Sequence, residues 1–167
     1  HYLIEAYKRL DTDKKLVICG DTSDTDDYVA QLKSMAGDNK NIIFTGFISG
    51  DTLGQIYSNS SAVCLPSDLE GMSISLLEAL SYSNAVLCSD IPENTSVCGN
   101  AALTFKKGNV DDLAQKLDFL IKNPKAAEKL RENSAEYVLS RFSWQNTAEL
   151  TTELYEKISI DKKGGNG

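Results

Sequence analysis

Short apolar runs alternate with helix-like segments along the whole 167-residue chain. These runs cover residues 16–19, 41–45, 61–65, 85–89 and 102–105, and their length together with flanking turn residues is typical of buried strands. Strands that alternate with helices through short turns form a parallel sheet with helices on both faces. We therefore predict a single Rossmann-like α/β domain with a doubly wound parallel sheet over residues 1–163, and a flexible tail over 164–167.

Turn residues and polar residues follow the ends of the first four predicted strands. In sheets of this kind, ligands bind beyond the carboxyl ends of the strands. We expect the segments that follow these ends to converge on one edge, namely Gly20, Gly46, Pro66–Gly71 and Asp90. The three-glycine dinucleotide fingerprint does not accompany Gly20, which argues against a NAD or FAD site.

Periodicity predicts where the helices lie. Apolar residues recur at helical spacing over 1–10, 28–37, 53–57, from residue 74, and from a cap at Asn109 to about residue 120. Two longer helices are expected over 124–141 and 143–158, with Trp144 as an ordinary packing anchor of the last one. Asp90–Gly99 is expected to be a loop.

Composition excludes several classes of function. The chain has 24 acidic and 17 basic residues and a formal net charge of −7, without a basic cluster, so its surface would repel nucleic acid. Its only histidine is His1, which argues against a Ser-His-Asp triad and a histidine-ligated zinc site. No apolar run is long enough to cross a bilayer. We expect a cytoplasmic protein without a metal site.

The four cysteines do not have the spacing of metal ligands. Three of them lie in apolar strand-like runs, where a free thiol behaves as a small hydrophobic side chain. This usage is typical of a reducing compartment. The cysteines are Cys19, Cys64, Cys88 and Cys98.

The segment 64–80 carries the strongest signal for a binding site. An apolar run ends at Pro66, a polar loop holds Glu70 and Gly71, and a helix begins near Ser73, which we expect to cap it through its hydroxyl. Apolar residues at helical spacing place Glu78 on the opposite face of this helix. Free amides and the positive end of the helix dipole would favour an anion here.

The run from Pro66 to Leu80, with Glu70 and Glu78 separated by seven residues, resembles the donor-binding motif of the group 1 (family 4) retaining glycosyltransferases. That family has the GT-B architecture and binds its donor in the C-terminal domain. The resemblance implies that Glu70 is a catalytic residue facing the donor sugar and that Glu78 holds the ribose. It also implies donor contacts from Gly71, Met72, Ser73 and Ile74.

The resemblance extends to other segments. It places the turn with Gly46, Phe47 and Ile48 beside the nucleotide base, although Phe47 could equally fill the core beneath that turn. Gly20 is a further candidate donor contact because it follows a strand end at the same edge. The family has Gly, any residue and Pro before its next strand, where this chain has Ser83, Asn84 and Ala85. We expect Asn84 to adopt the left-handed conformation in place of the glycine.

The resemblance further implies the properties of a whole enzyme. It would transfer a sugar from a nucleoside diphosphate donor, UDP- or GDP-linked, with retention and without a metal or other cofactor. Its partners would be the donor and an N-terminal acceptor-binding domain, and peripheral membrane contact would be compatible with this picture. In the family, a strand and a loop with an arginine and a lysine that grip the diphosphate precede the first helix. Without that basic pair, we expect this chain alone to be inactive.

A receiver-like phosphoacceptor domain is the alternative from another class. Asp68, Ser89 and Lys106 each follow or end a strand, as the phosphoacceptor, hydroxyl and lysine of a receiver would. A receiver also needs adjacent carboxylates after its first strand to hold magnesium, whereas here Asp21 is followed by Thr22. A non-catalytic nucleotide-binding module is a third interpretation.

Overall fold

Strands and helices alternate in the structure, a computed structural model that describes residues 1–21 and 25–164. The strands of this described part are β1 Leu16–Ile18, β2 Ile42–Phe44, β3 Val63–Leu65, β4 Val86–Ser89 and β5 Leu103–Phe105. Its helices are α1 Tyr2–Tyr7, α2 Asp26–Ala36, α3 Gly50–Asn59, α4 Ile74–Ser81, α5 Pro92–Cys98, α6 Val110–Lys122, α7 Pro124–Arg131, α8 Ser134–Leu139 and α9 Trp144–Gly164. The predicted α/β class and the predicted strand positions are confirmed.

The strands pair in parallel, but they form two groups instead of one continuous sheet. β1 pairs with β2, and β3, β4 and β5 form a second sheet with β4 in the centre. Within the described residues, no strand pairing joins β1 to β3. The expected parallel pairing is present, and the strands are divided between two sheets.

Strand β4 is buried along its whole length because helices cover both faces of its sheet. Val86 and Cys88 pack in a cluster with Leu76 and Leu80 of α4. Leu87, which points to the opposite face, packs in a different cluster with residues of α6. This alternation is the two-residue period of a strand, and it makes the three-stranded sheet doubly wound, as predicted.

Helix α1 connects the two sheets. Its Ala6 packs with Leu87 and Phe105 on the three-stranded sheet. Its Ile4 and Tyr7, on another face, pack with residues of β1, β2 and α2. The Tyr7 hydroxyl also donates to the backbone oxygen of Lys14, which fixes the segment that leads into β1.

Several predicted helix boundaries are wrong. The expected loop over 90–99 contains α5, which begins at Pro92, a residue that suits a first helical turn because its missing N–H is not needed there. The expected helix over 124–141 is interrupted between α7 and α8 at Glu132 and Asn133. Helix α1 is shorter than residues 1–10 and ends at Tyr7.

Helix α9 extends beyond its predicted end and is largely exposed. Trp144 at its start is 88% exposed, so the prediction that this side chain anchors the helix is wrong. Gly164, expected to begin a flexible tail, is the last residue of α9. The rest of that predicted tail, 165–167, lies outside the described residues. The structure's described part contains no helix with the length and apolar character of a membrane span.

The left-handed residue between α4 and β4 is Ser83, with φ 54°. The prediction that Asn84 takes this conformation is therefore wrong by one residue. Asn84 is instead buried, and its side-chain amide donates to the backbone oxygen of Ala79 at 3.2 Å. Asn84 thus closes the last turn of α4 from inside the protein.

The four cysteines are free thiols at different depths. Cys88 and Cys98 are buried, with their Sγ atoms 4.0 Å apart. Burial raises the pKa of the Cys64 thiol to about 12. Cys19 is exposed, so the expectation that cysteines in strand-like runs are buried does not hold for this residue.

Candidate functional site at the carboxyl ends of the strands

The loops after β1 and β2 meet through two glycines. The Gly20 N–H donates to the Gly46 oxygen at 3.1 Å. Both residues have positive φ, 140° and 67°, which a side chain would strain. This contact brings two predicted donor-site residues together. Phe47 follows the pair and is 75% exposed, which rules out that it fills the core beneath the turn.

The first residues of the chain link the loop after β3 to helix α2 at this edge. The Tyr2 hydroxyl donates to Asp68 at 3.1 Å. The neighbouring His1 ring forms a hydrogen bond with the Tyr28 hydroxyl at 2.8 Å. Both contacts lie beyond the ends of β1 and β3, so the two sheets present their carboxyl ends on the same side.

Glu70 is held by its own loop. The Ser67 hydroxyl donates to Glu70 Oε1 at 2.6 Å. The Ser67 backbone oxygen in turn accepts a hydrogen bond from the Ser89 hydroxyl at 2.5 Å, which ties the loop to the end of β4. The Ser67 hydroxyl thus orients the Glu70 carboxylate. Among the described residues, Glu70 forms no ion pair.

A buried amide supports this loop from the next helix. Asn94 of α5 is fully buried, and its side-chain nitrogen donates to Ser89 Oγ at 3.1 Å and to Ser89 O at 3.2 Å. Its side-chain oxygen has no hydrogen-bond partner within the described part of the chain. Asn94 lies in α5, within the segment predicted to be a loop, and neither its role nor that of Ser67 was predicted from the sequence.

The backbone between Glu70 and α4 is open to solvent. Gly71 has no atom within 4 Å of the place that a Cβ would take, and Met72 and Ile74 are 58% and 57% exposed. Ser73 occupies the N-cap position, but its hydroxyl accepts no hydrogen bond from the first turn, so the predicted side-chain cap is wrong. The first amides of α4 therefore remain available to an anion.

Glu78 lies on the face of α4 that the sequence predicted, opposite the buried Leu76 and Leu80. The Tyr57 hydroxyl of α3 donates to Glu78 Oε2 at 3.3 Å. Burial, followed by the Glu78 charge, raises the pKa of Tyr57 to about 12, so Tyr57 is a neutral donor near pH 7. The Tyr57 ring stacks on Tyr82, with centroids 5.4 Å apart. The helical spacing over 53–57 predicted the helix that carries Tyr57 but not this contact with Glu78.

The predicted site residues thus form two groups. Glu70 to Ile74 and Glu78 lie along the β3–α4 connection and α4 itself, while Gly20 and Gly46 meet at the other sheet. Cys19, which precedes Gly20, is close enough to Tyr57 to contribute to the raised pKa of that hydroxyl. The end of β1 therefore lies beside the Tyr57–Glu78 pair. The described residues include no cluster of three or more side chains suited to a metal ion.

A parallel α/β domain with carboxylates and a helix start at the carboxyl ends of its strands belongs to the class of Rossmann-like ligand-binding domains. Comparison with known proteins defines the family. Residues 1–137 match the model of the glycosyl transferases group 1, and the chain belongs to this family. This membership confirms the predicted glycosyltransferase family and excludes the receiver-like alternative.

Individual relatives agree with this assignment. An uncharacterized glycosyltransferase of Methanocaldococcus jannaschii is 30% identical, over 98% of this chain and 42% of that protein. A glycosyltransferase from Rickettsia africae is similar in structure, with a TM-score of 0.87 at 21% identity over 99% of this chain and 44% of that one. Anabaena HepE in complex with UDP-glucose has a TM-score of 0.82 at 18% identity, over 96% of this chain and 44% of that one.

The structural matches show that the fold is that of the GT-B glycosyltransferases. The chain spans less than half the length of the archaeal relative and of these two structures.

Proposed function

We propose that this domain binds a nucleoside diphosphate sugar at the carboxyl ends of its strands, as the donor-binding, C-terminal domain of a retaining glycosyltransferase. The arrangement of two carboxylates around the start of α4 carries this proposal. Each carboxylate accepts a hydrogen bond from a hydroxyl, Glu70 from Ser67 and Glu78 from Tyr57. Between them lie the exposed Gly71 and Met72 and the uncapped first turn.

The start of α4 would bind the distal phosphate. Its first amides have no acceptor within the helix, and the helix dipole adds up to about 2 kcal/mol in a partly buried setting. That contribution is small against a diphosphate approaching a chain of net charge −7. Basic side chains from elsewhere in the whole protein would supply most of the remaining attraction, so this chain alone should bind donor weakly and transfer nothing.

The two glutamates would bind opposite ends of the donor. The Tyr57 hydroxyl donates to Glu78 Oε2. We propose that Glu78 Oε1 accepts a hydrogen bond from a ribose hydroxyl. Glu70 would face the sugar, where its negative charge favours the positive charge that develops at the anomeric carbon as the bond to the diphosphate breaks. The oxygen of an acceptor hydroxyl would then bond to that carbon on the face that the diphosphate leaves, and the hydroxyl proton would pass to the departing phosphate oxygen. The configuration would thus be retained, and we propose that this step needs no metal.

The nucleoside would lie toward the Gly20–Gly46 contact. Exposed Phe47 follows Gly46 and offers an aromatic face beside this contact. The similarity to a structure that holds UDP-glucose supports a UDP- or GDP-linked donor. Acceptor choice would belong to a separate domain of the whole protein.

An NMR titration of UDP-glucose and, separately, GDP-mannose into the 167-residue chain tests donor binding. We expect saturable amide shifts at residues 71–74, with a weak affinity. Glu78→Ala should weaken binding at least tenfold, because a charged hydrogen bond contributes about 1.5–3 kcal/mol. The matched control is Glu136→Ala, which removes an exposed carboxylate from α8 and should leave the affinity unchanged.

The catalytic role of Glu70 requires the whole enzyme. Glu70→Ala should abolish most sugar transfer while leaving nucleoside diphosphate binding intact, because the side chain faces the sugar and not the nucleotide. Full activity of this variant would contradict the role of Glu70, and normal donor affinity of Glu78→Ala would contradict the ribose contact.

A further inference from the structure

Three consecutive hydrogen bonds connect the interior of α5 to Glu70. The Asn94 side-chain nitrogen donates to Ser89 Oγ at 3.1 Å, and the Ser89 hydroxyl donates to Ser67 O at 2.5 Å. The Ser67 hydroxyl in turn donates to Glu70 Oε1 at 2.6 Å. The carboxylate at the end of this series is the one that the proposed function places at the donor sugar.

The two inner members of the series are closed to water. Ser89 is 1% exposed, and Asn94 is fully buried. The single proton of the Ser89 hydroxyl is donated to Ser67 O, and the Asn94 amide supplies the hydrogen bond that Ser89 Oγ accepts. Asn94 also donates to the backbone oxygen of Ser89 at 3.2 Å. The Ser89 hydroxyl is therefore held in one orientation, with its proton toward the loop that carries Glu70.

The side chains around Glu70 give its loop little support. Leu69 is 81% exposed, and Gly71 has no atom within 4 Å of the place that a Cβ would take. The Asp68 carboxylate accepts a hydrogen bond from the Tyr2 hydroxyl at 3.1 Å, but this contact is exposed and water competes for both groups. The residues on either side of Glu70 therefore do not fix its position by packing.

The loop backbone has few contacts as well. Among the described residues, no backbone–backbone hydrogen bond involves residues 67–72. The Ser89 hydroxyl holds a backbone oxygen of this loop, that of Ser67, and Ser89 itself is shielded from water. We therefore expect the position of the loop to depend on Ser89 and on the amide that orients it.

Asn94 is an expensive residue for the fold. Its Oδ1 atom has no hydrogen-bond partner within the described part of the chain, and a buried polar atom without a partner costs free energy. Its neighbours on α5, Val97 and Cys98, belong to an apolar core cluster, so an apolar side chain here would avoid that cost. Such a side chain could not donate to Ser89. Stability alone does not account for an amide at this position, whereas the orientation of Ser89 does.

We propose that Ser89 and Asn94 are positioning residues for sugar transfer, which fix the loop at Ser67 and thereby hold the Glu70 carboxylate at the donor sugar. This inference rests on the proposed function, in which Glu70 faces that sugar. Both residues act through Ser67 and not by contact with the donor. Because a displacement of about 1 Å in a reacting group can lower a rate on the order of a hundredfold, loosening this series should lower kcat more than it weakens donor binding.

Amide relaxation by NMR tests the positioning in the 167-residue chain without donor. In Ser89→Ala, the order parameters of residues 68–71 should fall from the rigid range of about 0.85 toward about 0.6. Asn94→Ala should lower them by a smaller amount, because the Ser89 hydroxyl remains. The matched control is Asn84→Ala, which removes another buried amide that donates to a backbone oxygen and should leave these order parameters unchanged.

The kinetics of the whole enzyme test the consequence for sugar transfer. With UDP-glucose or GDP-mannose as donor, Ser89→Ala should lower kcat about tenfold or more and change the donor KM by less than about threefold. Asn94→Ala should lower kcat by a smaller factor, again at nearly constant KM, and it decides the matter alone if Ser89→Ala does not fold. Asn84→Ala should leave both constants within about twofold of their original values.

Three outcomes would overturn the proposal. These are unchanged order parameters over 68–71 in the Ser89 and Asn94 variants, an unchanged kcat in both variants, and an equal loss of order in Asn84→Ala, which would show a general structural effect. Failure of the proposed function is distinguishable, because then Glu70→Ala transfers sugar normally. This proposal alone fails when Glu70→Ala is inactive while the Ser89 and Asn94 variants transfer sugar at the original rate.

Discussion

Tyr57 and Glu78 form a hydrogen-bonded pair that favours the protonated hydroxyl of Tyr57. The hydroxyl donates to the carboxylate, and burial together with the negative charge disfavours the tyrosinate. The folded-state pKa of Tyr57 is about 12, above the ordinary value of 10.0. Its contribution to stability is therefore fully present below pH 10 and is lost as the pH rises through about 12.

The substitution Glu78→Gln should lower the pKa of Tyr57, because it removes a neighbouring negative charge. The pKa should stay above 10, since burial is its largest cause. NMR of ring-labelled tyrosine across alkaline pH measures this change, and Tyr57→Phe identifies the resonance. An unchanged Tyr57 pKa in Glu78→Gln would show that the two groups do not interact in solution.

Ser89 should contribute strongly to stability for its size, because it is a buried link between Ser67 and Asn94. We expect Ser89→Ala to lower the free energy of unfolding by about 1–3 kcal/mol, the cost of leaving buried polar groups without a partner. Urea unfolding measures this change in the free energy of unfolding. The control Ser96→Ala removes an exposed hydroxyl of α5 and should change stability by no more than about 0.5 kcal/mol.

At the residue scale, the sequence indicated the acidic side chains but not what holds them. Glu70 and Glu78 follow from the strand–loop–helix pattern of one continuous segment. Tyr57 and Asn94 lie on other elements, and their contacts depend on how those elements pack, which no local pattern contains. Ser73 shows the reverse case, in which a residue suited to capping makes no cap hydrogen bond.

At the level of elements, the turn from α4 to β4 carries a cost. Ser83 adopts the left-handed conformation there, with φ 54°, although a side chain disfavours this conformation by about 1–2 kcal/mol. Contacts of the next two residues offset this strain. The buried Asn84 side chain donates to Ala79 O at the end of α4, and Ala85 is fully buried.

Replacing Ser83 with glycine should therefore stabilise the domain. The relief of about 1–2 kcal/mol is larger than the loss of about 0.5–1 kcal/mol from the greater freedom of glycine in the unfolded chain, so the free energy of unfolding should rise by up to about 1.5 kcal/mol. Thermal and urea unfolding of the variant and the unchanged chain measure this difference in stability. Ser58→Gly, at an exposed position in the last turn of α3, is the matched control and should not raise stability, because glycine is a weaker helix former than serine. A lower free energy of unfolding for Ser83→Gly would contradict the inference that Ser83 is strained.

Strands were easier to predict than helix ends in this chain. Each strand lies in a compact apolar run bounded by turn residues, and the central strand β4 is buried along its whole length. The break between α7 and α8 has no proline or glycine to mark it, and α5 is too short to show a clear period. These boundaries are decided by packing on the sheet, which the sequence shows only indirectly.

For the whole molecule, stability should be uneven between the two sheets. The three-stranded sheet has β4 between two partners and clusters of buried side chains on both faces. The β1–β2 pair has one shared edge and borders an open cleft between the two sheets. The alternation in the sequence predicted the parallel arrangement but not this division, because the pairing of strands distant in sequence leaves no local signal.

Native-state hydrogen exchange of the 167-residue chain should show this difference. Amides of Leu87 and Cys88 should exchange only through global unfolding, with a strong dependence on urea. Paired amides of β1 and β2 should exchange faster and with a weaker dependence, because smaller local openings expose them. Equal protection in both sheets would show that they unfold as a single cooperative unit.

The positions of the four thiols also make the protein convenient for spectroscopy. Cys88 and Cys98 are shielded, and the high pKa of Cys64 keeps it protonated at neutral pH, whereas Cys19 is accessible. A maleimide dye should therefore attach selectively to Cys19 without any engineered substitution. Such a dye would sit next to Gly20 and Tyr57, where its fluorescence would report the arrival of a nucleotide.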